Sequence, residues 1–169
     1  MERFLMKRRA LLRSSVAFIT GVACASGAHA AVEPTGPQPT LKKQPLVIVT
    51  GGGKRHDFQV EVATTPEQQI TGLMFRKSVP ADGGMLFVWG RPTDSKMWMR
   101  NTLVSLDMVF IDENGRISHI AEDTVPESLA VIDGGPGVVA TLELRGGATA
   151  KLGIVVGDKV LCQALGTKP

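Results

Sequence analysis

Short apolar segments separated by glycine-rich turns constrain the fold of this chain more than any other feature. Residues 46–50 are apolar and β-branched, and in residues 57–63 Phe58, Val60 and Val62 alternate with polar residues. Alternation with a period of two indicates a strand with one buried face. The turn at 51–54, Gly-Gly-Gly-Lys, predicts that the two strands form a hairpin.

The same pattern continues to the end of the chain. Further strands are predicted at residues 84–89, 96–100, 106–112, 116–122, 138–144 and 159–162. Thr65 followed by Pro66 predicts the start of a short helix that ends near Gly72, and a second short helix or turn is expected at 148–152. We therefore expect a mainly β domain with one or two short helices, folded as a compact barrel or a strongly bent antiparallel or mixed sheet.

The N-terminal 30 residues have the features of a cleavable signal peptide. Residues 7–9 are basic, residues 11–25 are mostly apolar, and Ala28 and Ala30 are the small residues that a signal peptidase recognises. The apolar run is shorter than the roughly 20 residues of a membrane anchor. We expect cleavage after Ala30, no transmembrane segment afterwards, and a periplasmic or secreted protein. The ordinary secretory route is expected, and the adjacent arginines leave the twin-arginine route as the alternative.

Removal of residues 1–30 changes the charge of the chain. These residues hold five of the 19 Lys and Arg and one of the 16 Asp and Glu, which leaves 14 basic and 15 acidic residues. This near-neutral remainder predicts no binding to nucleic acid.

Cys162 is then the one remaining cysteine, so no intramolecular disulfide is expected. Residues 31–45 contain four prolines and predict an extended linker before a single β-rich domain at 46–166.

Six sequence blocks occur in an order that is more specific than any one of them. They are residues 58–63, 72–76, 84–87, 98–102, 106–112 and 157–160. Their order resembles the domain of unknown function 192 family, and the resemblance covers nearly all of residues 57–162. It implies a compact β-rich domain that is often exported in bacteria and has no established activity. No catalytic residue is implied by it.

An acidic residue within an apolar strand is the most informative candidate for function. Asp107 shares a strand face with apolar side chains, so its carboxylate must be paired or functional. Arg76 and Arg100 are its expected partners. Three interpretations remain open: Asp107 fixes a neighbouring loop, it is a general acid or base, or it orients a ligand. In the last case Arg76 or Arg100 binds an anionic group, Trp98 is an apolar wall and Asn101 adds hydrogen bonds.

The sequence therefore predicts an exported binding or accessory module of the cell envelope. Its partner is expected to be a small molecule, anionic ones included, or a segment of an envelope protein. The first alternative is a hydrolase that uses Asp107 as its acid or base. The second is Cu(I) handling through the thioethers of Met97 and Met99, although both are also ordinary core residues. No cofactor or metal motif occurs, so we expect neither a cofactor nor a resident metal.

Overall fold

A computed structural model of the protein describes residues 33–169. The predicted signal peptide lies outside the described residues. Within 33–169, no helix is both long enough and apolar enough to cross a membrane. The elements are, in chain order, β1 (Lys43–Val49), β2 (Arg55–Ala63), α1 (Pro66–Thr71), β3 (Gly83–Met97), β4 (Leu106–Asp112), β5 (Ile117–Ala121), β6 (Ile132–Arg145), α2 (Ala148–Leu152), β7 (Lys159–Cys162) and a short 3₁₀ helix (Gln163–Leu165).

The strands of the described chain form one sheet in the order β5-β4-β6-β3-β2-β1-β7. β2 and β3 are parallel, as expected for strands joined through the helix α1, and the other neighbours are antiparallel. The sheet curls into a half-barrel. Its two edge strands approach each other, because the Ile117 amide donates to the Asp158 carbonyl at 2.9 Å and the Val160 amide to the Gly115 carbonyl at 2.8 Å. The predicted fold class is confirmed.

Apolar side chains pack on both faces of the sheet. In β4, Val109 and Ile111 belong to one buried cluster, whereas Met108 and Phe110 belong to another. Successive residues of a strand point to opposite faces, so the two clusters lie on the two sides of the sheet. Such double burial is what the near-continuous apolar sequence of β4 requires.

Helix α1 begins and ends where the sequence predicts. The Thr65 hydroxyl accepts a hydrogen bond from the Gln68 amide, and the Gln68 side chain accepts one from the Thr65 amide, which is a capping box. Gly72 ends the helix with φ +48°, and a Cβ at this position would lie 2.9 Å from Cζ of Phe87. Glycine therefore allows the helix end to pack against β3.

Two strand boundaries differ from the sequence prediction. Residues 84–89 and 96–100 were expected as separate strands, but β3 continues from Gly83 to Met97 through Gly90 and Pro92. Register shifts relative to β6 occur between Val88 and Lys96, so the turn-forming residues bend the strand without ending it. The predicted second strand therefore ends at Met97.

The segment before β1 contacts the sheet domain. β1 begins at Lys43, inside the range expected as a linker. The Gln38 side chain donates to the carbonyls of Gln68 and Gly72 at 3.0 and 2.9 Å, and so binds the C-terminal end of α1. The Leu41 amide donates to the Glu61 carboxylate at 2.7 Å. Residues 38–41 are thus attached to the domain by specific hydrogen bonds.

Candidate functional site

Asp107 is fully buried in β4 and accepts four hydrogen bonds. Its Oδ1 accepts from the amides of Asp123 and Gly147 at 2.9 and 3.0 Å, and its Oδ2 accepts from the amide and the hydroxyl of Thr149 at 2.8 and 2.7 Å. Four donors occupy the acceptor positions of a carboxylate. Asp107 therefore joins the loop after β5 and the start of α2 to the sheet.

The two arginines that were expected beside Asp107 bind other carboxylates. Nη2 of Arg76 lies 3.1 Å from Oε2 of Glu61, and Nη2 of Arg100 lies 2.8 Å from Oε2 of Glu33. The expected pairing with Asp107 is not observed, because Asp107 is enclosed by backbone donors of distant loops. Each guanidinium already has an anionic partner within the chain.

Trp98 and Asn101 lie in the loop between β3 and β4. Trp98 is 49% exposed, and the Arg100 guanidinium lies 5.6 Å from the centre of its ring. Asn101 has a left-handed backbone (φ +55°), and its carbonyl accepts from the Phe75 amide at 2.8 Å. Asn101 thus fixes this loop against the segment that follows α1.

The two methionines considered for copper binding are separated by the end of β3. Met97 is the last residue of β3 and is partly buried, whereas Met99 is fully buried with its sulfur 3.1 Å from the Thr124 hydroxyl. In one extended strand the two side chains would share a face, but in the structure they do not share an exposed one. Within residues 33–169 no group of three or more His, Cys, Asp or Glu side chains is arranged to hold a metal ion.

A cavity of about 350 Å³ lies between α1, the second half of β3 and the loop that carries Trp98. This volume is within the range of small-molecule sites. The apolar side chains that line it are those of Pro66, Ile70, Leu73, Met74, Phe87, Trp89, Met97 and Trp98. Of the five residues proposed from the sequence, Trp98 lines this cavity, and Arg76, Arg100, Asn101 and Asp107 are not among its lining residues.

Glu143 of β6 contributes a buried carboxyl group to the cavity. It lies opposite Met85 of β3 and Met108 of β4, so apolar thioethers flank it on both neighbouring strands. The side chain is 4% exposed, and its Oε2 has no hydrogen-bond partner within the described residues. Burial raises the pKa of Glu143 to about 8, well above its usual range near 4.5. The carboxyl group is thus mostly protonated at neutral pH.

The other polar side chains around the cavity are already engaged. Gln69 donates to the Val88 carbonyl at 2.7 Å, and the hydroxyls of Thr71 and Thr102 donate to backbone carbonyls. Lys96 lies 3.0 Å from Asp133. Among the lining residues, Glu143 is therefore the one with a buried side-chain polar atom that has no partner within the described residues.

Sequence reasoning missed Glu143, although a signal for it was present. In residues 138–144, Thr141 and Glu143 alternate with Ala140, Leu142 and Leu144. The argument that singled out Asp107, an acidic residue in a strand with apolar neighbours, applies equally to Glu143. The sequence could not show which of the two carboxyl groups lacks donors, because those donors come from distant loops.

The fold and the cavity define a small β half-barrel domain with one unpartnered buried carboxyl group in a ligand-sized cavity. The sequence model of the family DUF192, described as "Uncharacterized ACR", matches residues 47–162. This match covers most of the chain, so the protein belongs to the DUF192 family. No curated protein matches the chain significantly.

Two solved structures are similar to this chain. A protein of Sinorhizobium meliloti, described as a "putative transcription regulator", is 39% identical with a TM-score of 0.72, over 75% of this chain and 98% of that one. A protein of unknown function from Novosphingobium aromaticivorans is 36% identical with a TM-score of 0.69, over 79% of this chain and 98% of that one. Both similarities therefore extend over nearly the whole chain of the relative.

The hydrogen bonds of Asp107 predict a large loss of stability in Asp107→Asn. The amide nitrogen of asparagine cannot accept, so buried donors of Gly147 or Thr149 lose their partner, and we expect the free energy of unfolding to fall by about 3 kcal/mol. Urea denaturation measures this change. The matched control is Asp57→Asn, an exposed position of β2, for which we expect a change within about 0.5 kcal/mol. Equal effects of the two substitutions would contradict the structural role.

Burial of Glu143 predicts a pH-dependent difference between the wild type and Glu143→Gln. In the unfolded chain this carboxyl ionises near pH 4.5, whereas in the folded protein it stays protonated up to about pH 8. The contribution of Glu143 to the free energy of unfolding is therefore fully present below pH 4.5 and is lost as the pH rises through 8. Relative to the variant, the wild type should lose at most on the order of 4 kcal/mol.

Urea denaturation between pH 5 and 8 measures this loss, because all other titrating groups are common to the two proteins. Glu113→Gln, in the exposed turn between β4 and β5, is the matched control and should show a pH-independent difference from the wild type. A pH-independent difference for Glu143→Gln as well would show that Glu143 is not a buried neutral acid.

Proposed function

We infer that the protein is an exported binding module whose small-molecule ligand occupies the cavity at Trp98 and Glu143. The observation that carries this proposal is the unpartnered Oε2 of Glu143, which is buried in a cavity with mostly apolar walls. A buried polar group without a partner is costly, and a ligand that supplies the partner recovers that cost. An apolar cavity with one convergent polar group is the common form of a small-molecule site.

The position of Trp98 extends the proposal to the mouth of the cavity. Trp98 and Ile70 line the cavity and are 49% and 43% exposed, so large apolar surfaces lie where a ligand would enter. Covering them on binding would add to the affinity. The proposed site thus keeps Trp98 from the sequence prediction and uses Glu143 in place of Asp107 as its polar group.

The alternatives receive no comparable support. An acid or base must face its substrate with a free oxygen, whereas four donors already bind Asp107 and it does not line the cavity. Copper binding by Met97 and Met99 would require the buried Met99 sulfur to leave the core. The S. meliloti relative is described as a "putative transcription regulator", but the 14 basic and 15 acidic residues after position 30 give this chain no net positive charge that would favour binding to nucleic acid.

The cavity proposal can be tested by NMR, because Trp89 and Trp98 are the two tryptophans of the chain and both line the cavity. A set of phenyl and cyclohexyl alcohols, amines and acids is titrated into the purified protein. We expect members of the set to shift both indole N–H signals, and Trp98→Ala to weaken their binding at least about tenfold through lost apolar contact.

Val155→Ala is the matched control, since Val155 is 57% exposed but does not line the cavity. This variant should bind as the wild type does. Fragments that leave both indole signals unchanged, or that bind Trp98→Ala as tightly as the wild type, would refute a ligand site in this cavity.

Export is a separate part of the proposal and rests on residues 1–30. The basic start, the short apolar run and the Ala28-His29-Ala30 sequence support cleavage after Ala30. We expect protein isolated from the periplasm of a bacterial expression host to begin at Ala31 when its mass is measured. Retention of the intact N-terminus, or accumulation in the cytoplasm, would contradict this.

A further inference from the structure

The charges around the cavity favour one class of ligand. Within the described chain, Glu143 is the ionisable lining group without a partner, whereas the basic groups nearby are neutralised: Lys96 by Asp133 and Arg100 by Glu33. A ligand anion would meet an acid and no free base. A ligand cation would meet a carboxyl group with no competing partner.

The cavity walls also suit a cation. Trp89, Trp98 and Phe87 line the cavity, and the negative faces of aromatic rings attract cations. Trp98 already shows this interaction, since the Arg100 guanidinium lies 5.6 Å from its ring centre. Pro66 and Ile70 of α1 add further apolar side chains to the cavity lining.

We propose, resting on the function proposed above, that the ligand is an organic cation with an apolar body, whose ammonium group binds the Glu143 carboxylate. The apolar body packs against Trp98 and Ile70. The ammonium donates its N–H groups to the Glu143 carboxylate and lies near the aromatic walls. The phenethylammonium ion is a probe of this chemistry and of suitable size.

Binding of such a cation is linked to the release of a proton. The buried carboxyl is protonated at neutral pH and must ionise to pair with an ammonium, so its proton passes to the solvent. Affinity should therefore fall by about tenfold for each pH unit below the pKa of Glu143. The other titratable lining group is Lys96 of β3, which Asp133 binds, and the lining residues from α1 and from the loop at Trp98 carry no charge. Met85 and Met108, beside Glu143 in the sheet, are uncharged as well.

The test compares three probes that share a phenyl body: phenethylamine, 2-phenylethanol and 3-phenylpropionate. Isothermal titration calorimetry of the purified protein is carried out from pH 6 to 8.5, in two buffers of different ionisation enthalpy. We expect phenethylamine to bind at least about tenfold more tightly than 2-phenylethanol at pH 8.5, with 3-phenylpropionate weakest. At pH 7 about one proton should be released for each amine bound.

Glu143→Gln removes the charge and retains the shape of the side chain, so it should abolish both the preference for the amine and the proton release. Binding of 2-phenylethanol to this variant should remain, which also verifies that the variant is folded. Equal or tighter binding of the alcohol or the acid by the wild type would overturn the cation inference and leave the cavity proposal standing. Binding of none of the three would overturn both.

Discussion

The double burial of strand β6 is the constraint on which the rest of the structure depends. β6 lies between β3 and β4 in the sheet, so its backbone is paired on both edges, and clusters of apolar side chains cover both faces. In such a strand a polar side chain costs stability unless a partner reaches it. Thr141 meets this requirement, because its hydroxyl lies 3.2 Å from the Trp89 indole nitrogen and 3.2 Å from the Ser95 hydroxyl. Glu143, two residues further on, does not.

Two buried carboxyl groups on adjacent strands therefore have opposite environments. Asp107 of β4 is surrounded by four donors, and Glu143 of β6 has its Oε2 unpartnered between methionines. The first arrangement stabilises the fold by tying loops to the sheet. The second costs stability, and protonation limits that cost by removing the buried charge. A costly group in a cavity is a better indicator of function than a satisfied one.

Local sequence rules predicted most of the fold and one residue of the proposed site. The strands, α1 and the turn at 51–54 follow from alternation, capping and turn residues, all of which act over a few positions. The partners of Asp107 could not be predicted in this way, because Gly147 and Thr149 are about 40 residues away and reach it only through the pairing of β4 with β6. The continuity of β3 through Pro92 likewise depends on irregular pairing with β6.

The cavity is formed by closely packed strands on one part of its lining and by a helix without buried residues on another. Glu143 lies on β6, an interior strand of the sheet. A Cβ added to Gly84 of the neighbouring strand β3 would come 2.3 Å from the Glu143 carbonyl oxygen, so the two strands pack closely. Helix α1, by contrast, has six residues and none of them is buried. Its end is held by Gln38, and Glu33 of the same N-terminal segment binds Arg100 beside Trp98. Elements with few buried contacts open at low free-energy cost. Displacement of α1 would therefore give a ligand access to Glu143 at low cost, while the strands that hold the carboxyl group remain in place.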